Sequence, residues 1–136
     1  FVGDQGLQMN IQELQYVASQ QLPITIVVLN NYSSGMIRSR EMHRYGEDFI
    51  HTTLESGYSV PDFCSLAEVY GIKSYTVDQF NFLKIHSILS KPPHTKMLEI
   101  KVDPTIQMMP DTPKGNPFQK MSPELDYNKF MLLDKI

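Results

Sequence analysis

The chain has 136 residues, with 12 Lys and Arg against 15 Asp and Glu, for a formal charge of −3. That length suits one domain or a piece of one. A mildly acidic chain with no Lys/Arg block argues against an electrostatic grip on nucleic acid or an anionic membrane. Its one cysteine, Cys64, excludes an intramolecular disulfide and a cysteine-based zinc cluster, and suits a reducing, cytoplasmic compartment. No apolar run is longer than that of residues 26–29, far short of the ~20 residues of a membrane span. No basic and apolar leader opens the chain. It begins without Met on Phe1-Val2-Gly3-Asp4, which reads as a strand end and its turn, so the expectation is a segment of a longer protein.

Leu7, Ile11, Leu14, Val17 and Ala18 recur at helical spacing, which predicts an amphipathic helix over residues 7–21 that Pro23 ends. Residues 24–29 are β-branched and apolar on both faces, the pattern of a strand in a parallel sheet covered on both sides. Asn30 to Gly35 is a loop by composition. A second helix over 35–45 has a poor apolar stripe, and 46–57 is polar and irregular. Ser59-Val60-Pro61-Asp62 reads as a capping box ahead of a helix carrying Phe63, Leu66, Ala67 and Tyr70, with Gly71 as its stop. Residues 72–77 predict a strand, and Asp78 the cap of a helix carrying Phe82, Ile85, Ile88 and Leu89. In 97–102 apolar residues alternate with Glu99 and Lys101, which predicts a half-exposed strand near an edge. Five prolines interrupt residues 104–136, where only 123–133 suggests a short helix. The division is therefore a unit over 1–103 and a Pro/Met-rich tail over 104–136. Alternation of this kind predicts an α/β fold, three layers deep, with a mainly parallel sheet and helices on both faces.

Asp4 follows the first strand and Asn31 the second. A connecting helix of about fifteen residues is ~22 Å long, and a returning strand of about seven residues covers ~23 Å. A right-handed crossover then places both residues at the carboxyl edge of one sheet, where open α/β sheets bind ligands. The Asp4 carboxylate, the Asn31 amide oxygen and the Ser33 carbonyl are hard oxygen donors of the kind Mg²⁺ takes. Gly3-Asp4-Gln5-Gly6 leads into a helix whose first N–H groups favour a phosphate, and Gly6 would let it come close. Together these features suggest a Mg²⁺–diphosphate site.

Gly3-Asp4-Gln5, about 25 residues, then Asn30-Asn31 resembles the thiamine diphosphate–Mg²⁺ motif. The stretch from Leu7 to Leu14, Gly35-Met36-Ile37-Arg38 after the Asn pair, and Pro61-Asp62-Phe63 with Ala67 and Tyr70-Gly71-Ile72 resemble the cofactor-binding domain of the acetolactate synthase group. The likeness runs from Phe1 to about Asp103. The tail words Met109-Pro110 and Lys114-Gly115-Asn116 resemble acetolactate synthase-like enzymes of surface-sugar biosynthesis. The resemblance implies that Asp4 and Asn31 bind Mg²⁺ through side chains and Ser33 through its carbonyl. It implies that Gly3, Gln5 and Gly6 meet the diphosphate and that Met36 lines the cofactor or substrate side. It further implies decarboxylation of a 2-oxo acid, with or without carboligation, in a homodimer or higher homo-oligomer. The activating Glu of such enzymes comes from another domain, so no catalytic residue is assigned to this chain.

Two departures stand out. The third motif position is usually Gly or another small residue, and here it is Gln5. Arg40 stands where acetolactate synthases proper carry a Trp, and this chain has no Trp. The second change argues for a different acceptor from that of branched-chain amino-acid synthesis. Two other classes remain open beside the enzyme: a non-catalytic module for Mg²⁺ and a phosphorylated ligand, and an inactive structural piece. Ser33 and Ser34 lack a nucleophile elbow. His43, His51, His86 and His94 show no ligand spacing. Cys64 reads as a buried small residue, and Arg38, Arg40 and Arg44 as the wet face of a helix.

Overall fold

The computed structural model describes residues 1–92, 94–106, 109, 112, 115 and 121–123. Among them the chain runs β1 (Val2–Gly3), α1 (Asp4–Gln8), α2 (Glu13–Ser19), β2 (Thr25–Asn30), α3 (Gly35–Tyr45), α4 (Phe63–Val69), β3 (Lys73–Val77), α5 (Lys84–Leu89) and β4 (Lys96–Lys101). The strands form one sheet in the order β1-β2-β4-β3, and each pair is parallel. The chain steps from β1 through β2 to β3 in one direction and then returns to β4. Right-handed crossovers therefore put α1, α2 and α4 on one face and α5 on the other. The packing agrees. Leu7, Leu14, Phe63 and Ala67 bury against Val28 and Met97, while Ile88 buries against Val77 and Leu98. The expected three-layer α/β arrangement is present.

Local departures have local causes. The helix predicted over 7–21 begins earlier, at Asp4, and divides into α1 and α2. Between them the N–H groups of Asn10, Glu13, Leu14 and Gln15 bond three residues back, in tighter turns. Leu7 and Leu14 still share one core with Ile11 and Ala18, so the apolar period survives the break. Asp62 alone caps α4, its Oδ1 accepting the Cys64 and Ser65 N–H groups at 3.0 Å each. Pro61 therefore stands outside the helix, and Ser59 is not its cap. Gly71 ends α4 at φ 73°, as expected. Asp78 accepts the N–H groups of Phe80 and Asn81 and so heads the turn ahead of α5, whose own N-cap is Leu83. In α3 no residue is buried, which accounts for its weak stripe.

Two strand readings change. Leu29 of β2 is 42% exposed, so the α5 side of the sheet is uncovered there. β4 is interior, not an edge, and its charged residues Lys96 and Glu99 are buried. Their charges are met by partners that alternation does not register. Lys96 Nζ donates to the carbonyls of Ile88 and Lys91 at the end of α5. Glu99 accepts from Asn30 and Thr76. The helix predicted over 123–133 lies outside the described residues, apart from Pro123.

Candidate metal and diphosphate site

Val2 pairs with Val28 and Gly3 with Leu29. The next residues, Asp4 and Asn30, therefore stand side by side at the sheet's carboxyl edge, with Asn31 one step beyond. Gly3, in extended conformation, is the N-cap of α1, and no side chain caps that end. Asp4 opens the helix yet is buried. Its Oδ1 accepts the Gln5 N–H at 2.8 Å. Its Oδ2 is buried with no hydrogen-bond partner. The Ser33 N–H and the Tyr58 hydroxyl face this carboxylate. Burial pushes the Asp4 carboxyl above its ordinary pKa, against the opposing pull of those donors and of the Gln5 N–H. Burial, then the neighbouring Asp4 charge, pushes the Tyr58 hydroxyl up to about 12.

The loop after β2 brings the other expected residues to Asp4. Asn31 Oδ1 accepts the Ser33 N–H at 3.3 Å, and the Ser33 carbonyl accepts the Gly35 N–H at 2.8 Å. Tyr32, between them, lies at φ 52°, a left-handed conformation that a bulky residue seldom takes. A Cβ on Gly35 would stand 2.9 Å from Asn31 Nδ2, so glycine there leaves room for the Asn31 side chain.

Gln5 has a structural account. Its Oε1 accepts the Ser34 hydroxyl at 2.9 Å, tying the turn after β1 to the loop after β2. A glycine at that position would have no side chain to make the tie. Gly6 answers a packing need, because its Cβ would meet Val2 Cγ2 at 3.0 Å where α1 lies on β1. Met36 stands 59% exposed in the first turn of α3.

Sequence reasoning missed Thr52, Glu41 and Tyr58. The Thr52 carbonyl accepts both the Ser33 hydroxyl, at 2.7 Å, and the Ser34 N–H, at 3.0 Å. Thr52 Oγ1 donates to Glu41 Oε2 of α3 at 2.6 Å. The irregular segment thus clamps the Ser33 loop. Its one sequence signal is Gly57, which sits at φ 101° directly before Tyr58. Arg38 is also engaged within the chain: Nη1 donates to the Pro104 carbonyl, and the guanidinium lies 5.3 Å from the centre of the Phe49 ring. Arg40 and Arg44 are exposed.

Beyond Asn30, on the β4 and β3 side, the same edge holds a cleft of about 380 Å³. Cys64 opens onto it, half-buried and in polar company. Its Sγ is 3.0 Å from Thr76 Oγ1 and 4.0 Å from Glu99 Oε2, which departs from the expected apolar setting. Among the described residues no three His, Cys, Asp or Glu side chains cluster as a metal group. A cation at Asp4 would therefore rely on one carboxylate plus amide and carbonyl oxygens. Magnesium accepts such a set when phosphate oxygens and water complete its octahedron. The unpartnered Oδ2 of Asp4 and the all-oxygen donors around it fit that role.

Comparisons with known proteins give the family. Residues 1–92 match the family model described as thiamine pyrophosphate enzyme, C-terminal TPP binding domain. The acetolactate synthase large subunit of Pyropia yezoensis is 43% identical over 76 residues, covering 56% of this chain and 12% of that protein. The acetolactate synthase isozyme 2 large subunit of Escherichia coli strain K12 is 33% identical over 116 residues, covering 83% of this chain and 20% of that protein. The chain thus spans between 12% and 20% of the length of these two relatives. The thiamine diphosphate-dependent 4-hydroxybenzoylformate decarboxylase of Rhodococcus jostii RHA1 superposes with a TM-score of 0.54 at 23% identity. That likeness covers 75% of this chain and 19% of the decarboxylase, and it is one of fold.

Proposed function

Because the chain belongs to the thiamine pyrophosphate enzymes through their C-terminal TPP-binding domain, we propose that its Asp4–Asn31–Ser33 edge holds Mg²⁺ and the diphosphate of thiamine diphosphate, in an acetolactate synthase-like enzyme acting on 2-oxo acids. The observation that carries this reading is Asp4 Oδ2, a buried carboxylate oxygen without a partner at the sheet's carboxyl edge. Leaving such an oxygen unsatisfied costs about 1–3 kcal/mol or more, and a bound cation removes that cost.

The roles follow from the donor set. The Asp4 carboxylate, the Asn31 amide oxygen and the Ser33 carbonyl hold the cation. With the Gln5 N–H taken by Asp4 Oδ1, the Gly6 N–H and the turn at Gly3 and Gln5 would meet the diphosphate. Met36 lines the outer side. When bound, thiamine diphosphate supplies the nucleophilic carbon and the electron sink for loss of carbon dioxide from a 2-oxo acid. The chain's own residues hold in place the cation that would neutralise diphosphate charge, with the Thr52 carbonyl fixing Ser33 and Ser34. Residues 1–103 form the cofactor-binding unit, and the exposed Met36 and Ile37 of α3 offer a face to a second subunit. The exposed Arg40 supports an acceptor different from that of branched-chain synthesis.

A thermal melt of the intact protein tests the reading. The ligands are Mg²⁺ and thiamine diphosphate, together and separately, with Mg²⁺–ADP as the control. A ligand at 100 times its Kd adds about 2.7 kcal/mol, or several degrees for a small domain. A rise that needs both components, fails with ADP and is lost in Asp4→Ala is the expected result. An equal rise with ADP points instead to a general Mg²⁺–phosphate module. No rise with either ligand overturns the proposal.

A further inference from the structure

Two oxygens of this site are buried without a hydrogen-bond partner, Asp4 Oδ2 and Tyr58 Oη, and they lie close enough for the Asp4 carboxylate to act on the Tyr58 hydroxyl. They are chemically complementary. A carboxylate oxygen only accepts, with two lone pairs, and a tyrosine hydroxyl can donate. Two such orphans side by side cost stability that direct pairing would recover. An unpaired Oδ2 has lone pairs enough for both a cation and the hydroxyl.

The placement of Tyr58 is held from several sides. Its N–H donates to the Thr53 carbonyl at 2.8 Å. Gly57 before it has a positive φ, and a Cβ there would stand 2.8 Å from the His51 ring. Thr52, at the start of the same loop, is fastened to Ser33 and Ser34. The loop over residues 52–58 is thus docked on the very segment that carries Asn31 and Ser33, and it delivers the Tyr58 hydroxyl to the carboxylate.

We infer that Tyr58 is a positioning residue of the metal site, whose hydroxyl donates to the Asp4 carboxylate when a cation is bound and so holds Oδ2 toward it. The inference rests on the Mg²⁺–diphosphate reading of the site. It adds a residue from an irregular loop to a site otherwise drawn from the two strand ends. Groups that orient a metal ligand in this way typically change metal affinity 10–100-fold when removed.

The test is Mg²⁺ titration by calorimetry in the presence of thiamine diphosphate, on the intact protein and its Tyr58→Phe variant, with metal-free melting curves of both. Tyr58→Phe is expected to weaken Mg²⁺ by about tenfold or more. It is also expected to keep or raise the metal-free melting temperature, because the hydroxyl it removes has no partner there. Unchanged Mg²⁺ affinity in the variant overturns the inference and leaves the site reading standing. A metal-free melting temperature that falls as far as the loaded one also overturns it, since the hydroxyl is then merely structural. A parent protein that needs no Mg²⁺ overturns both.

Discussion

Asn30 Nδ2 donates to Glu99 Oε1 at 2.7 Å between the paired strands β2 and β4, and both residues are almost sealed from water. The adjacent Asn31 spends its Oδ1 on one long bond to the Ser33 N–H. Two neighbouring asparagines thus have separable tasks. Asn30→Ala removes a donor from a buried carboxylate and should cost about 1–3 kcal/mol in urea unfolding. Asn31→Ala should cost less than half of that and instead weaken Mg²⁺ binding. Equal stability losses in the two variants would refute the division.

Lys96 is the second buried charge of β4. Its ammonium donates to two carbonyls at the end of α5, at 3.2 and 3.1 Å. Lys96→Met keeps the length and apolar stem of the side chain but leaves those carbonyls without this donor. The expected loss is about 1–3 kcal/mol by chemical denaturation. An unchanged midpoint would mean that water replaces the ammonium.

Gly35→Ala probes the metal loop through space. The added methyl group would sit 2.9 Å from Asn31 Nδ2, the free end of a side chain that can turn away. The ligand-free melting temperature should therefore change little. Mg²⁺ affinity should fall about tenfold, because Asn31 is displaced. Calorimetric titration against the parent protein checks this, and an unaltered affinity would count against Asn31 as a ligand.

Asp62 supplies a pH test. Its bonds to the backbone and hydroxyl of Ser65, and to the Cys64 N–H, hold its carboxyl below the ordinary pKa. With the folded value depressed, the unfolded chain binds more protons, so stability rises with pH in this range. The contribution is complete above about pH 4, the unfolded value, and is lost as pH falls through the folded one. Asp62→Ala should cost about 1 kcal/mol at pH 7, as for other N-caps. The gap between variant and parent should narrow below pH 4. A constant gap down to pH 2 would show that the charge of Asp62 is not what caps α4.

Several parts of the site were legible in the chain before folding. The Gly3-Asp4 turn, the Asn pair and the lengths between them already place Asp4 and Asn31 at one edge, because helix rise and strand rise are constants of the backbone. Gln5 was legible only as an oddity. Its use appears when Ser34 arrives beside it, 29 residues away in sequence. Tyr58 was invisible, since its segment has no period and its role depends on where Thr52 docks.

The sequence by itself determined what is local and periodic. It set the alternation of strands and helices, the parallel class of the sheet, the stop at Gly71 and the Asp4 and Asn31 ends of two strands. Tertiary structure decided what depends on partners distant along the chain. Charge alternation made residues 97–102 look like an edge strand, but Asn30, Thr76 and the carbonyls of α5 satisfy Glu99 and Lys96, so β4 lies inside the sheet. Hydrophobic period is a property of neighbours in sequence. The cost of burying a polar atom depends on neighbours in space, and in this chain those neighbours let charged β4 lie inside the sheet yet leave Asp4 Oδ2 without a partner.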